Sequence, residues 1–253
     1  MGPIAKSVIV LVCVFASGVL GLSLRSILPQ PHLQEDSLAM VRLCTGVIAT
    51  LTALVLGLLV ASAKSNYDRA SNQVTSAAAA VVLLDRTLAQ YGTQTAEARS
   101  SLRAAVETAM TTLFSEHSHG VADIDSREAL ARGERLQTEL RELTPQNDAQ
   151  RALQARALEI SNEVAPTRQL VIAQAQGSIP GVFLVILVLW LSIMFAGFGL
   201  VTANNPTVLV TLFLCAVSVA GAVLMIEELN QPLQGLMKVS SAPMRYALAH
   251  LGQ

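Results

Sequence analysis

The sequence is short of charge, of aromatic rings and of catalytic punctuation. Asp, Glu, Lys and Arg make up 14% of its 253 residues, where a soluble domain carries about 25%. Phe, Trp and Tyr together supply only 4%. With a net charge of −1 there is no cluster of Lys and Arg to displace counterions, so no nucleic-acid partner is expected. Cys13, Cys44 and Cys215 all fall in apolar runs; they argue against a disulfide framework and read as small packing groups. No phosphate-cradling Gly-rich loop, His-Glu-x-x-His or nucleophile elbow occurs, so the chain is not read as an enzyme and no catalytic residue or cofactor is assigned. His117 and His119 lack a nearby Cys or further His. They read as solvated loop residues, and no metal site is assigned.

What the chain has in quantity is apolar surface. Hydrophobic residues make up 52% and the mean hydropathy is +0.51. The charges are segregated: of the 35 Lys, Arg, Asp and Glu, 26 lie between Lys64 and Arg168. The lipid bilayer is therefore the solvent of both ends of the chain. A helix needs about 20 apolar residues to cross a bilayer, and four runs qualify: Ser7–Leu24, Leu43–Ala63, Pro180–Val201 and Thr207–Ile226. The first has signal-peptide features, with Lys6 ahead of it and small Ala16, Ser17 and Gly18 within it, and is read as a retained span. Between the last two, Asn205 is placed to cap a helix whose first residue is Pro206, which makes a tight helical hairpin.

Orientation follows from Lys and Arg near the span ends. Lys6, Lys64, Arg69, Arg168, Lys238 and Arg245 fall on one side, and only Arg25 and Arg42 on the other. Both termini and the polar middle are expected in the cytoplasm. Arg25 and Arg42 read as interfacial anchors. In the middle, apolar residues recur at helical spacing, as in Val74, Ala78, Val81, Leu84 and Leu88, or Leu102, Val106, Ala109 and Leu113. Breaks are expected at Tyr91-Gly92, at Ser118-His119-Gly120 and at Thr144-Pro145, with Thr144 as a cap, and the last helix is expected to run into span three. The fold class is all-α: four transmembrane helices with a cytoplasmic helical bundle inserted between spans two and three. By residue, this gives a transmembrane hairpin over 1–63, a cytoplasmic helical region over 64–178, a second hairpin over 179–230 and a cytoplasmic tail over 231–253.

Span two has a further pattern. Ala49, Ala53, Gly57 and Ala61 repeat at every fourth residue, and such a small-residue stripe lets helices pack closely in lipid. Either it packs within one subunit, or several copies of span two gather around an axis and leave another face to line a pore. Beyond the span, Tyr67 and Arg69 lie just inside the cytoplasmic boundary. At the end of span four, Glu227 and Glu228 sit where acids are unfavourable, at a helix C-terminus. They are solvated, or paired with Lys64, Arg69 or Lys238, or form a ring of carboxylates at a pore mouth. No charge lies inside any span, which disfavours a proton-coupled transporter and leaves an apolar pore that gates by wetting.

The stretches "GLSLRSILPQPHL", "VRLCTGVIATLTALVLGLLVASAKSNYD", "FAGFGLVTANNPTVLV" and "ELNQPLQGLMKVSSAPMRYAL" resemble the bacterial bestrophin-like membrane proteins, a family distantly similar to bestrophin channels. The resemblance covers all four spans and their flanks. It implies a multi-pass protein of the bacterial inner membrane. From the bestrophins it implies a pentameric, mostly anion-conducting channel, chloride among its ions, with an apolar neck on span two. Leu56-Gly57-Leu58 and Asn66-Tyr67-Asp68-Arg69 are similar to the family's neck and post-neck steps, which puts Leu58, Leu54 and Thr50 toward the axis. Leu58 replaces an aromatic, and Ala70-Ser71-Asn72-Gln73 lacks the aromatics and Glu that follow in bestrophins. Two functions are therefore carried forward. One is a homo-oligomeric channel for inorganic ions, with Tyr67, Arg69, Glu227 and Glu228 at its cytoplasmic mouth. The other is a non-conducting membrane adaptor or sensor whose bundle meets a cytoplasmic protein partner.

Overall fold

The computed structural model describes residues 2–29, 33–114, 127–176, 181–233 and 235–252. Eight α-helices are found among them. They are α1 (Pro3–Ile27), α2 (Glu35–Tyr91), α3 (Ala96–Phe114), α4 (Arg127–Glu142), α5 (Asp148–Gln176), α6 (Gly181–Val201), α7 (Pro206–Leu229) and α8 (Ala242–His250). No strand occurs among the described residues. Helices α1, α2, α6 and α7 are long and apolar enough to cross a membrane, and α3, α4 and α5 are inserted in the chain between the second and third of them. The fold is all-α with four membrane-length helices, as the hydropathy requires.

Helix α2 runs for 57 residues because no Gly or Pro interrupts the register after Lys64. It stops at Tyr91, where Gly92 takes a φ of +124° that a side chain resists; a single 3₁₀ turn, Thr93–Thr95, then leads into α3. The expected cap at Thr144 moves. Asn147 Oδ1 accepts the Gln150 N–H at 2.8 Å, because the chain stays non-helical until Asp148. Asn205 does sit at the N-cap of α7, but its side chain makes no capping bond. Pro206 brings no N–H, so one fewer orphan donor needs an acceptor. The break expected at Ser118-His119-Gly120, the junction of α5 with α6, and both His117 and His119 lie outside the described residues.

The helices form two compact units, one of Met1–Ser65 with Ser178–Asn230, the other of Asn66–Gly177 with Gln231–Gln253. In the first, Val10, Val14, Leu187, Leu191, Phe195, Ala216 and Val223 make the core where α1 meets α6 and α7. Glycine sets how closely α1 and α6 approach. A Cβ built on Gly21 would fall on the Ala196 carbonyl, and one on Gly199 would strike the Gly18 carbonyl oxygen. Backbone contact of this kind is how helices attract one another in lipid, where no hydrophobic force acts between them.

In the second unit, the lower part of α2 packs with α3, α4, α5 and α8. The core includes Leu84, Leu88, Leu102, Leu140, Ile160 and Ala247, on the helical spacing that α2 and α3 show in sequence.

Candidate functional site

Within the first unit, α2 has two unlike faces. Thr45, Thr52 and Ala63 are buried, and Leu56 and Leu59 pack against the core. This face needs a small neighbour: a Cβ on Gly197 of α6 would come within 2.5 Å of Thr45 Oγ1. The opposite face has no partner among the described residues. Leu54 is 72% exposed and Leu58 70%, with Thr50 exposed between Leu43 and Leu54 on the same side. Only 11% of the most apolar window of α2 is buried, against 33%, 22% and 28% for α1, α6 and α7.

The chemistry of that exposed face is weak by construction. Thr50 donates its hydroxyl proton to the Val47 carbonyl at 2.8 Å, so it offers lone pairs and a methyl group but no free donor. Leu54 and Leu58 offer only alkyl surface. No charged residue occurs from Leu43 to Ala63. Such a surface offers no group that could hold an ion tightly.

The small-residue stripe borders the same face. Ala49 is half-buried, and Ala53, Gly57 and Ala61 are exposed. A Cβ on Gly57 would meet nothing within 4 Å. The close packing inside this chain is made elsewhere, by Gly18 and Gly21 against Ala196 and Gly199. Those residues stand in the sequence as "SGVLG" and "FAGFG", a spacing signal as plain as the one on span two. Cys13, Cys44 and Cys215 are exposed, which corrects the expectation of packing groups. Their positions fall on outward helix faces.

Glu227 and Glu228 are also corrected. Both are buried rather than solvated at a helix end. The partner of Glu227 is Lys6, whose Nζ donates to Oε2 at 2.6 Å, and not Lys64, Arg69 or Lys238. The charge is neutralised because α1 starts beside the end of α7, where Ser7 Oγ also donates to the Ala220 carbonyl at 2.5 Å. Asn230, next in line, is buried with neither amide atom partnered. Arg25 anchors through helix-end chemistry: its Nη1 donates to the Leu200 and Val201 carbonyls, at 3.3 and 2.5 Å. A cation there satisfies orphan acceptors at the negative end of α6.

Tyr67 and Arg69 belong to the second unit, whereas Glu227 and Glu228 belong to the first. Tyr67 is half-buried and donates to the Lys238 carbonyl at 3.4 Å, and Arg69 is exposed. The strongest polar site of this unit is one the sequence reading passed over. Asp85, 1% exposed, accepts from Arg99 Nε at 2.8 Å and Nη2 at 3.0 Å, and from the Gly252 N–H at 3.3 Å. Burial alone would push the Asp85 carboxyl up. The Arg99 fork and the Gly252 N–H outweigh it and hold the carboxyl below its ordinary value. An Asp and an Arg 14 residues apart on two adjoining helices leave no periodic trace in sequence. Among the described residues no three of His, Cys, Asp and Glu gather where a metal ion could be held.

A profile of the bestrophin-like domain matches residues 10–244. The chain belongs to the bestrophin-like family. Among solved structures, this bestrophin-like chain is similar to a bacterial bestrophin homologue from Klebsiella pneumoniae, at 16% identity and a TM-score of 0.70, covering 96% of each chain. Two single-residue variants of that homologue give TM-scores of 0.70 and 0.69 at 17% identity, covering 97% and 98% of this chain and 97% and 96% of theirs. At such identities the likeness establishes the bestrophin fold. No curated protein matches the sequence significantly.

Proposed function

We propose that this protein is an oligomeric ion channel of bestrophin architecture, conducting anions such as chloride along a pore lined by the membrane part of α2. Thr50, Leu54 and Leu58 face the axis, and Ala49, Ala53, Gly57 and Ala61 meet the next copy. The observation that carries the reading is the unpartnered face of α2. It is the least buried of the four spans, it is uncharged, and its edge is small enough for another helix to lie against it. A face meant only for lipid has no need of Gly57 and three alanines in register. Ions cross a short apolar neck, and selectivity follows from the cost of shedding water, which large anions bear most easily. The resemblance to bestrophins adds a five-fold ring. We further propose, from that resemblance and the Lys and Arg near the span ends, that residues 64–178 and 231–253 are cytoplasmic in a bacterial inner-membrane protein, with Tyr67, Arg69, Glu227 and Glu228 near the inner mouth.

The test is the subunit number and axial geometry of the detergent-purified protein, followed by bilayer currents. A ring with α2 toward an axial path, and currents that Leu54→Ser alters, is the expected result. A monomer or dimer, or currents unmoved by Leu54→Ser, would overturn the pore and leave an adaptor that acts through its helical bundle.

A further inference from the structure

Between α7 and α8 the chain turns two large apolar side chains outward. Leu236 is 77% exposed and Met237 45%, and exposed Lys238 follows them. The loop that carries them is closed at its base, where the Val239 N–H donates to the Pro232 carbonyl at 2.8 Å. Gly235 takes a φ of +86°, a turn conformation suited to glycine. On either side of the tip the apolar residues are buried: Leu233 before it and Val239 after it, the latter against Ala70 and Val74. The flanks therefore satisfy the second unit, and the closed turn holds Leu236 and Met237 away from it. A single exposed leucine is ordinary on a protein surface. The level and the company of this pair are not.

The level is set by α2. Tyr67 donates its hydroxyl proton to the Lys238 carbonyl at 3.4 Å, and Tyr67 stands four residues beyond Ala63, where the uncharged run of α2 ends. At 1.5 Å per residue that is about 6 Å along the helix. The headgroup layer of a leaflet is about 5–7 Å thick, so Lys238 lies at headgroup depth and the tip beside it does too. The loop also has a definite side. Tyr67, Ala70 and Val74 lie roughly 160–220° around α2 from Leu54 at 3.6 residues per turn, so it packs on the back of the helix, opposite the exposed Leu54–Leu58 face. Lys64, Arg69 and Lys238 share this level with Asp68, three cations against one anion.

We infer that Leu236 and Met237 insert into the headgroup region of the bilayer, with Lys238 on anionic headgroups, so that the loop is an interfacial anchor holding the second unit to the membrane surface. Apolar side chains next to a lysine suit this boundary: the alkyl groups enter the edge of the acyl layer while the ammonium stays among the phosphates. Each cation near an anionic surface adds to the attraction. The inference goes beyond the channel reading and does not depend on it, since a non-conducting protein with the same spans would be anchored in the same way.

Fluorescence quenching of the full chain in vesicles tests it. Trp190→Phe removes the only tryptophan, and Leu236→Trp, Met237→Trp or Arg151→Trp is added to that background. Positions 236 and 237 are exposed, so neither indole displaces a core residue, and Arg151, on the solvated side of α5 with 68% of its side chain exposed, supplies the aqueous reference. The vesicles are of phosphatidylglycerol or of phosphatidylcholine, with the quencher either a phospholipid brominated near the top of its acyl chain or acrylamide in the buffer. The expected result is strong quenching by the bromolipid at 236 and 237, with acrylamide quenching at least fivefold weaker than at 151. Lys238→Glu should weaken the bromolipid quenching severalfold in phosphatidylglycerol and leave it unchanged in phosphatidylcholine. Acrylamide quenching at 236 and 237 equal to that at 151 overturns the anchor and puts the tip in water. Protection from both quenchers overturns it in favour of a second copy covering the tip. An equal response to Lys238→Glu in the two lipids overturns the anionic preference.

Discussion

Glycine to alanine at two positions separates packing within one chain from packing between copies. A Cβ added to Gly21 falls onto the Ala196 carbonyl oxygen, and the neighbouring atoms Ala196 C and Cα lie at only 2.9 and 3.0 Å from it. All three are backbone, so no side chain can turn aside, and α1 and α6 must separate. Overpacking of this kind costs about 1–3 kcal/mol. Separation also loosens Val14, Leu191 and Phe195, each at most 2% exposed. The upper end of the range, about 3 kcal/mol, is the expectation for Gly21→Ala. At Gly57 the added Cβ meets nothing within 4 Å, and alanine is the better helix former by about 1 kcal/mol. Gly57→Ala should therefore leave the protomer as stable as wild type or slightly more so, and weaken only the association of copies. Thermal unfolding in detergent and native-mass subunit counts, measured on the same samples, read the two effects apart. A protomer destabilised by Gly57→Ala, or unmoved by Gly21→Ala, would refute the assignment of the two small-residue surfaces.

Four further outcomes follow from the described contacts. Asp85→Asn should cost about 2 kcal/mol, since it weakens charge-assisted bonds to Arg99 at a nearly dry site, and denaturant unfolding of the full chain checks it. Because the folded Asp85 carboxyl is held below its unfolded value, its contribution is complete above pH about 4 and fades as pH falls through the lowered value. The gap between wild type and Asp85→Asn should close there, and a gap that widens on acidification would contradict the sign. Lys6→Met should cost about 2–3 kcal/mol by leaving Glu227 buried without its cation, and adding Glu227→Gln should recover part of that in a double-mutant cycle. Arg25→Ala should cost about 1 kcal/mol and speed amide exchange over the last turn of α6.

The parts of this fold legible in sequence are those that repeat. Spans are runs of about 20 apolar residues, so all four stand out, as does the spacing of Val74, Ala78, Val81, Leu84 and Leu88 that becomes the core of the second unit. The end of α2 was legible as well, because Gly92 is a local signal. Pairings between distant residues leave no such signal. Lys6 finds Glu227 across 221 positions, Asp85 finds Gly252 across 167, and nothing in composition distinguishes Lys6 from Lys64 as the partner. Burial reversed two readings for the same reason. Glu227 and Glu228 look like solvated helix-end acids until α1 is seen to start beside them, and three cysteines look like core residues until their helix faces turn outward.

Gly57 shows why one pattern can carry opposite meanings. Small residues at short helical spacing mark both the dense α1–α6 contact at Gly18 and Gly21, three apart, and the vacant edge of α2 at Ala53 and Gly57, four apart. Spacing states only that a backbone can be approached closely, not which backbone approaches. In the first case the partner is in the chain, because a tight hairpin brings α6 and α7 back against α1. In the second, the contacts that the described residues make with the membrane part of α2 fall on its other face, where Thr45, Thr52 and Ala63 are buried. A close-approach surface that its own chain leaves open is filled by lipid or by another copy. Lipid needs no close backbone approach, so the proposed function assigns this edge to the copy. Under the proposed function Leu54 and Leu58, on the adjoining face, then line the neck of the pore, and Gly57→Ala tests the association of copies on which that depends without touching either leucine.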